Sequence, residues 1–307
     1  MSAENDNLKP LSFDNEEELI PLSIDNDQSN YSEDNFVPIS KGPNNEIKNK
    51  DSNFVFFFGV SASGKSVILS SLLYYLSSQA GVLSPKSGTP NSKEAQSLLE
   101  DFFENISKGI LPNRTTRDQV TRIDLKFEPS NKSKKVPPIN LTFLETANHL
   151  DITRGNQYHN SIDSYLNAKI PLNIIIVTSY DSAHKEDSLI NIFLNRLVDK
   201  GIEPKYVNII LVISKWDLSG KGSVASEDEL ESFIAERLPM TNNRVNTYEF
   251  SKTYFTIGNI ENNGNTERIT NLNLDSAEII SNWLYESITG YPLDYEGTLW
   301  ERIKFSF

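Results

Sequence analysis

Residues Phe54 to Phe58 are all apolar, and the run stops at Gly59. A strand covered on both faces has no solvent side for polar residues, so it reads as an unbroken apolar run. Leu172–Val177 and Val207–Ile213, apolar apart from Asn173 and Asn208 near their starts, read as further buried strands, and Tyr254–Ile257 as a last short one. Ile123, Leu125 and Phe127 instead alternate with polar residues, which predicts a half-buried strand at a sheet edge. Ile139–Leu144 reads as the next strand. The connection between those two, SNKSKKVPP, is nine residues long without a helical pattern, so the pair should be antiparallel.

Helical periodicity fills the intervals. Ser66–Gln79 has a broad apolar face, and amphipathic patterns cover Lys93–Ser107, Ser188–Lys200, Glu227–Leu238 and Ser276–Ile288. Residues 81–92, rich in Gly, Pro and Ser, read as a loop. Buried strands alternating with helices predict an α/β fold, a doubly wound and mostly parallel sheet of about six strands with one antiparallel edge strand.

The ends differ from this middle. Residues 1–50 carry four lysines against eleven acidic residues and few apolar ones, so burial cannot offset the entropy of ordering them. An acidic, disordered tail is expected there, followed by one domain over 51–290. Within the tail, PLSFDN (Pro10–Asn15) recurs as PLSIDN (Pro21–Asn26), either low-complexity sequence or a duplicated docking motif for a protein partner. Residues 291–307 form an aromatic extension, with Tyr291, Tyr295, Trp300, Phe305 and Phe307. It either folds back on the domain or offers a protein partner a patch.

Composition narrows the chemistry. The net charge of −13 over 307 residues repels phosphate backbones, which argues against nucleic acid as the main partner. The absence of cysteine excludes disulfides and thiolate metal sites, and the three histidines are well separated. No run reaches the ~18 apolar residues of a membrane span. The polar N-terminus lacks the apolar core of a signal peptide, so a cytoplasmic location is expected.

Gly59-Val-Ser-Ala-Ser-Gly64-Lys65-Ser66 fits G-x-x-x-x-G-K-[ST] after a buried strand and before a helix. The spacing predicts a phosphate-binding loop. Gly59 and Gly64 let the backbone curl, and N–H groups from Ser61, Ala62 and Ser63 through Val67 face the anion. Lys65 is expected to reach the outer phosphates and Ser66 to ligate Mg²⁺.

SKWDL (Ser214–Leu218) sits directly after another buried strand, at the end where such sheets bind ligands. With these two motifs the chain resembles the P-loop GTPases of the Ras-like and translation-factor-related class, whose guanine-reading motif is [NT]-K-x-D. The resemblance runs from Phe54 to about Ile288. It implies GTP and GDP as substrate and product, with Asp217 accepting hydrogen bonds from guanine and Lys215 lying along the base plane. Ser214 stands for the usual Asn or Thr and would brace the phosphate loop with a shorter reach. A weaker match to the last base-contacting loop falls on Thr256-Ile257-Gly258.

TFLETANHL (Thr142–Leu150) aligns with the family's D-x-x-G switch, with three departures. Glu145 replaces the aspartate that holds Mg²⁺ through water, Asn148 the glycine that meets the γ-phosphate, and His149 the glutamine that positions water in the Ras type. Upstream, PNRTT resembles the bacterial double-GTPase and dynein-light-intermediate-chain-like groups. The likeness implies Thr115 as the switch threonine on Mg²⁺ and γ-phosphate, with Thr116 as the alternative and Arg114 and Arg117 beside it. Three readings remain: a GTPase switch with His149, Thr115 and Lys65 as catalytic groups, a scaffold that holds guanine nucleotide without cleaving it, and a P-loop kinase or ATPase with SKWD accidental.

Overall fold

The computed structural model describes residues 51–89, 92–112, 120–146, 166, 170–203, 207–263 and 266–296. The strands are β1 (Asn53–Phe58), β2 (Gly81–Pro85), β3 (Val120–Pro129), β4 (Ile139–Thr146), β5 (Leu172–Ser179), β6 (Asn208–Ser214) and β7 (Ser251–Phe255). They form one sheet in the order β2-β3-β4-β1-β5-β6-β7. Strands β4, β1, β5, β6 and β7 run parallel, and β2–β3 and β3–β4 are antiparallel. A separate hairpin pairs β8 (Asn259–Asn263) with β9 (Thr266–Thr270).

The helices are α1 (Lys65–Tyr75), α2 (Ser92–Ser107), α3 (Ala183–Asp199), α4 (Glu227–Arg237), α5 (Pro239–Tyr248) and α6 (Asp275–Thr289). Side chains alternate across β1, so its unbroken apolar run feeds two cores. Val55 and Phe57 join Leu72 of α1, Leu99 of α2 and Ile280 of α6. Phe54, Phe56 and Phe58 join Phe193 of α3 and Ile234 of α4, with Phe58 stacked on Phe193. Helices therefore cover both faces of a mostly parallel sheet, the α/β architecture that the apolar runs predict.

Three elements depart from the sequence reading. Residues 81–85, expected in a loop, form β2, the edge strand. Leu83 is buried and Val82 is 62% exposed, a single alternation too short to stand out between Gly81 and Pro85. Gly81 is required by packing, because a Cβ there would lie 2.2 Å from the Glu128 carbonyl. The strand bearing Ile123, Leu125 and Phe127 consequently lies one place in from the edge, and the sheet has seven strands, not six. Asp124, on its other face, is buried and accepts from Thr142 Oγ1 at 2.6 Å, which is how a polar position survives there. Helix α5 and the β8–β9 hairpin carry too few apolar residues to be read as elements.

At the C-terminal side, Asn131 Nδ2 donates to the carbonyls of Leu293 and Tyr295, at 2.9 Å each. Lys135 Nζ lies 5.0 Å from the Tyr291 ring centre and 5.4 Å from that of Tyr295. Thus residues 291–296 lie against the β3–β4 connection. The acidic segment 1–50 and the aromatic residues Trp300, Phe305 and Phe307 lie outside the described residues. No helix among the described residues is long and apolar enough to cross a membrane.

Candidate functional site

Parallel strands deliver their carboxyl ends to one rim of the sheet, and the register here aligns the motif residues along it. Glu145 pairs with Phe57, two residues before Gly59. Ser214 pairs with Ser179 on one side and Phe255 on the other. At the ~4.8 Å strand spacing, the ends of β1 and β6 are two strands and roughly 10 Å apart.

The loop between β1 and α1 is shaped by its glycines. A Cβ at Gly59 would sit 2.2 Å from the Val177 carbonyl, so only glycine fits. Gly64 adopts φ +95°, a left-handed conformation that opens α1 without a side-chain cap. Ser63 is fully buried, and its carbonyl accepts from Ser214 Oγ at 2.5 Å. That hydrogen bond ties the β1 loop to the end of β6 across 151 positions of sequence.

Lys65 turns back over the loop and donates to the carbonyls of Gly59 and Val60, at 2.8 and 2.7 Å. Its side chain is buried, and burial lowers its pKa to about 8, while the charges of Glu145 and Glu186 act in the opposite direction. Ser66 Oγ donates to Glu145 Oε1 at 2.5 Å, which joins the start of α1 to the end of β4. Glu145 is itself 2% exposed.

Glu186 was not legible as part of this cluster. It lies in the first turn of α3, where an acidic residue is ordinary because of the helix dipole. Here it is 3% exposed, accepts from Ser182 Oγ, and has its pKa raised by burial. No sequence pattern marks it, since its closeness to Lys65 comes from α3 packing beside β1.

The SKWD segment is anchored by its least polar member. Trp216 is 1% exposed, with rings of Tyr180 and Phe233 edge-on at 5.6 and 5.7 Å. Lys215 adopts φ +55° and pairs with Asp181 at 3.4 Å, while Asp217 next to the buried indole is exposed. Removing the indole takes away the anchor. Trp216→Ala is expected to cost ~3–5 kcal/mol of stability, read by denaturant unfolding.

The last predicted loop is pinned in a similar way. The Thr256 N–H donates to Ser276 Oγ at 3.2 Å, and the Asn273 N–H to the Ile257 carbonyl at 3.0 Å.

These elements surround one cavity of about 510 Å³. Ser61, Ala62, Gly64, Lys65, Ser66 and Val67 line it from the β1 loop, and Glu145 from β4. Ser214, Lys215, Asp217, Thr256 and Ile257 line it from β6 and β7. Pro112 of PNRTT, Leu218 of SKWDL and Phe255 of β7 line it as well, and three residues without a sequence signal complete the wall: Leu111 after α2, and Ile260 and Glu267 from the hairpin. Gly59 and Ser63 stand behind the wall as supports. Thr115, Asn148 and His149 lie outside the described residues.

The cavity combines backbone N–H groups at a helix start, a buried ammonium, a hydroxyl–carboxylate pair and, about two strands away, an exposed carboxylate. Such a surface can hold a polyanion at one end and a hydrogen-bond donor at the other.

No family model matches the sequence, and none of the curated proteins compared matches it. Solved structures do resemble it in shape. One is the signal recognition particle receptor SRb-GTP/SRX complex from Chaetomium thermophilum, at 14% identity and a TM-score of 0.43 over 76% of this chain and 98% of that one. Another is the S. cerevisiae Ski7 GTPase-like domain bound to GTP, at 16% identity and a TM-score of 0.37 over 66% of this chain and 42% of that one.

Proposed function

We propose that this chain binds guanine nucleotide with Mg²⁺ and hydrolyses GTP slowly as a conformational switch. One observation carries the reading: the β1 loop with Lys65 and Ser66, the Glu145 carboxylate and the Asp217 carboxylate all line one cavity. Triphosphate lies on the N–H groups of the β1 loop, with Lys65 on its outer phosphates. Asp217 accepts from the N1–H and 2-amino group of guanine, donors that adenine lacks.

Ser66 and Glu145 offer two hard oxygen donors side by side, the donor type that Mg²⁺ takes while phosphate and water fill its other positions. The residues fit the ion, which when bound supplies charge neutralisation at the phosphates. His149 is assigned to orient the attacking water, Asn148 to meet the γ-phosphate, and Thr115 to close on it in the triphosphate state. The subgroup assigned is the bacterial double-GTPase-like and dynein-light-intermediate-chain-like one, on the strength of PNRTT. Protein partners would engage the acidic tail 1–50 or the aromatic segment 291–307, making the chain a subunit of a larger assembly.

The test is to identify the nucleotide carried by the purified protein and then to time single-turnover hydrolysis with Mg²⁺. Bound GDP, and GTP converted within minutes to an hour, support the switch. ATP competing equally with GTP removes the guanine assignment. The direct Ser66–Glu145 contact favours a second reading, a scaffold that holds GTP uncleaved, because glutamate reaches the hydroxyl itself. GTP persisting for many hours with Mg²⁺ selects that reading.

The pKa of Lys65 makes binding pH-dependent. Below about 8 the amine is protonated in folded and unfolded chains alike. Between about 8 and its ordinary 10.5 the unfolded chain holds the extra proton, so this group's contribution to the stability of the empty protein rises with pH. Bound phosphate restores the proton. Affinity is therefore expected to fall above pH 8, by up to ~10-fold per unit, with proton uptake seen by calorimetry in two buffers of different ionisation heat.

A further inference from the structure

The β8–β9 hairpin stands beside the cavity and is fixed at two places. At its root, Gly258 passes so close to Asn271 that a Cβ would lie 2.2 Å from the Asn271 carbonyl. On its outer strand, the Ile269 N–H donates to the Gly109 carbonyl at 2.7 Å, and Ile110 bridges to Arg268. Gly109 is needed there too, with φ +68° and 2.5 Å from a would-be Cβ to the Ile269 carbonyl. An isolated two-stranded hairpin is marginal in water, so these ties are what make it a wall.

Its register decides what the wall presents. Ile260 is opposite Ile269, and residues two apart on a strand share a face, so Ile260, Ile269 and Glu267 project together. Ile269 is 7% exposed in the core, which turns that face inward. Ile260 and Glu267 accordingly line the cavity, where Ile260 is 40% exposed.

An ionised carboxylate only accepts hydrogen bonds. Of the donors on a guanine nucleotide, the base N1–H and 2-amino group belong to Asp217, and phosphates repel a second anion. Only the ribose hydroxyls remain. Resting on the guanine-nucleotide reading, we propose that Glu267 accepts a hydrogen bond from a ribose hydroxyl and that Ile260 covers the apolar edge of the nucleoside. The hairpin is thereby a sugar-reading wall, and Glu267 a specificity-determining residue.

The test compares GDP, 2′-deoxy-GDP and 3′-deoxy-GDP on the full-length protein and on Glu267→Ala and Glu267→Gln. Wild type is expected to bind GDP ~10- to 100-fold tighter than the analogue lacking the contacted hydroxyl, as for one charge-assisted hydrogen bond. Glu267→Ala should bind GDP and that analogue alike, at the wild-type affinity for the analogue. Glu267→Gln, an uncharged acceptor, should keep part of the preference. Equal affinities for all three nucleotides in wild type, an unchanged preference in Glu267→Ala, or a uniform loss for all three would each overturn the inference while leaving guanine binding standing. Failure of wild type to bind GDP at all would remove both.

Discussion

Lys65→Met is expected to weaken GTP binding by ~10²- to 10³-fold at neutral pH, the loss of one or two charge-assisted contacts to phosphate. The variant should do this without unfolding the protein. The ammonium is buried against two backbone carbonyls, and that burial, which lowers its pKa to about 8, disfavours the charged form. A drop from 10.5 to about 8 corresponds to ~3 kcal/mol of disfavoured charge. Methionine keeps the apolar stem and removes that charge, so the thermal midpoint of the nucleotide-free protein should hold or rise. Loss of binding with retained stability identifies a group kept for its ligand. A midpoint lowered by many degrees, with affinity intact, would instead make Lys65 a structural tie between the β1 loop and α1.

Asp217→Asn should exchange the base. The side chain is exposed beside the buried Trp216, so the amide costs the fold little. Toward guanine it loses two charge-assisted acceptors and opposes the N1–H and 2-amino donors with a donor of its own. A GTP affinity ~10²- to 10⁴-fold lower is expected. Xanthine carries a carbonyl where guanine has the 2-amino group, so the amide N–H of asparagine finds an acceptor there. Competition binding with xanthosine and guanosine diphosphates on wild type and variant reads both changes. A variant that loses GTP without gaining the xanthine nucleotide would show that Asp217 supports the loop and does not read the base.

The parts of the fold that were legible share one property, that their signal is local. Phe54–Phe58, Ile174–Val177 and Ile209–Ile213 are continuous apolar runs because each strand is buried on both faces. The glycines of the β1–α1 loop were legible because a tightly curled backbone needs particular conformations at fixed spacing, and Gly59 and Gly64 supply them. Ser214 and Asp217 were placed because β6 ends where they begin.

What stayed hidden is held by distant partners. Helix α5 has six polar residues in ten, and its start is capped from another helix: Asp187 accepts from the N–H groups of Met240 and Thr241, at 2.9 and 2.8 Å. Strand β2 exists because Glu128 and Asp124 of β3 offer it a ladder. The hairpin owes its position to Gly109, some 160 residues before Ile269. The Gly264-Asn265 dipeptide between its strands is a two-residue turn signal that could have revealed it.

By itself, then, the sequence determined the layered α/β class and the chemistry offered at three points, since apolar runs and glycine spacing act within a few residues. Tertiary structure alone decided that Glu145 meets Ser66, that Glu186 joins Lys65, that Trp216 fixes Asp217, and that Ile260 and Glu267 complete the cavity. Strand register and helix packing set those meetings, and each depends on residues far apart in the chain.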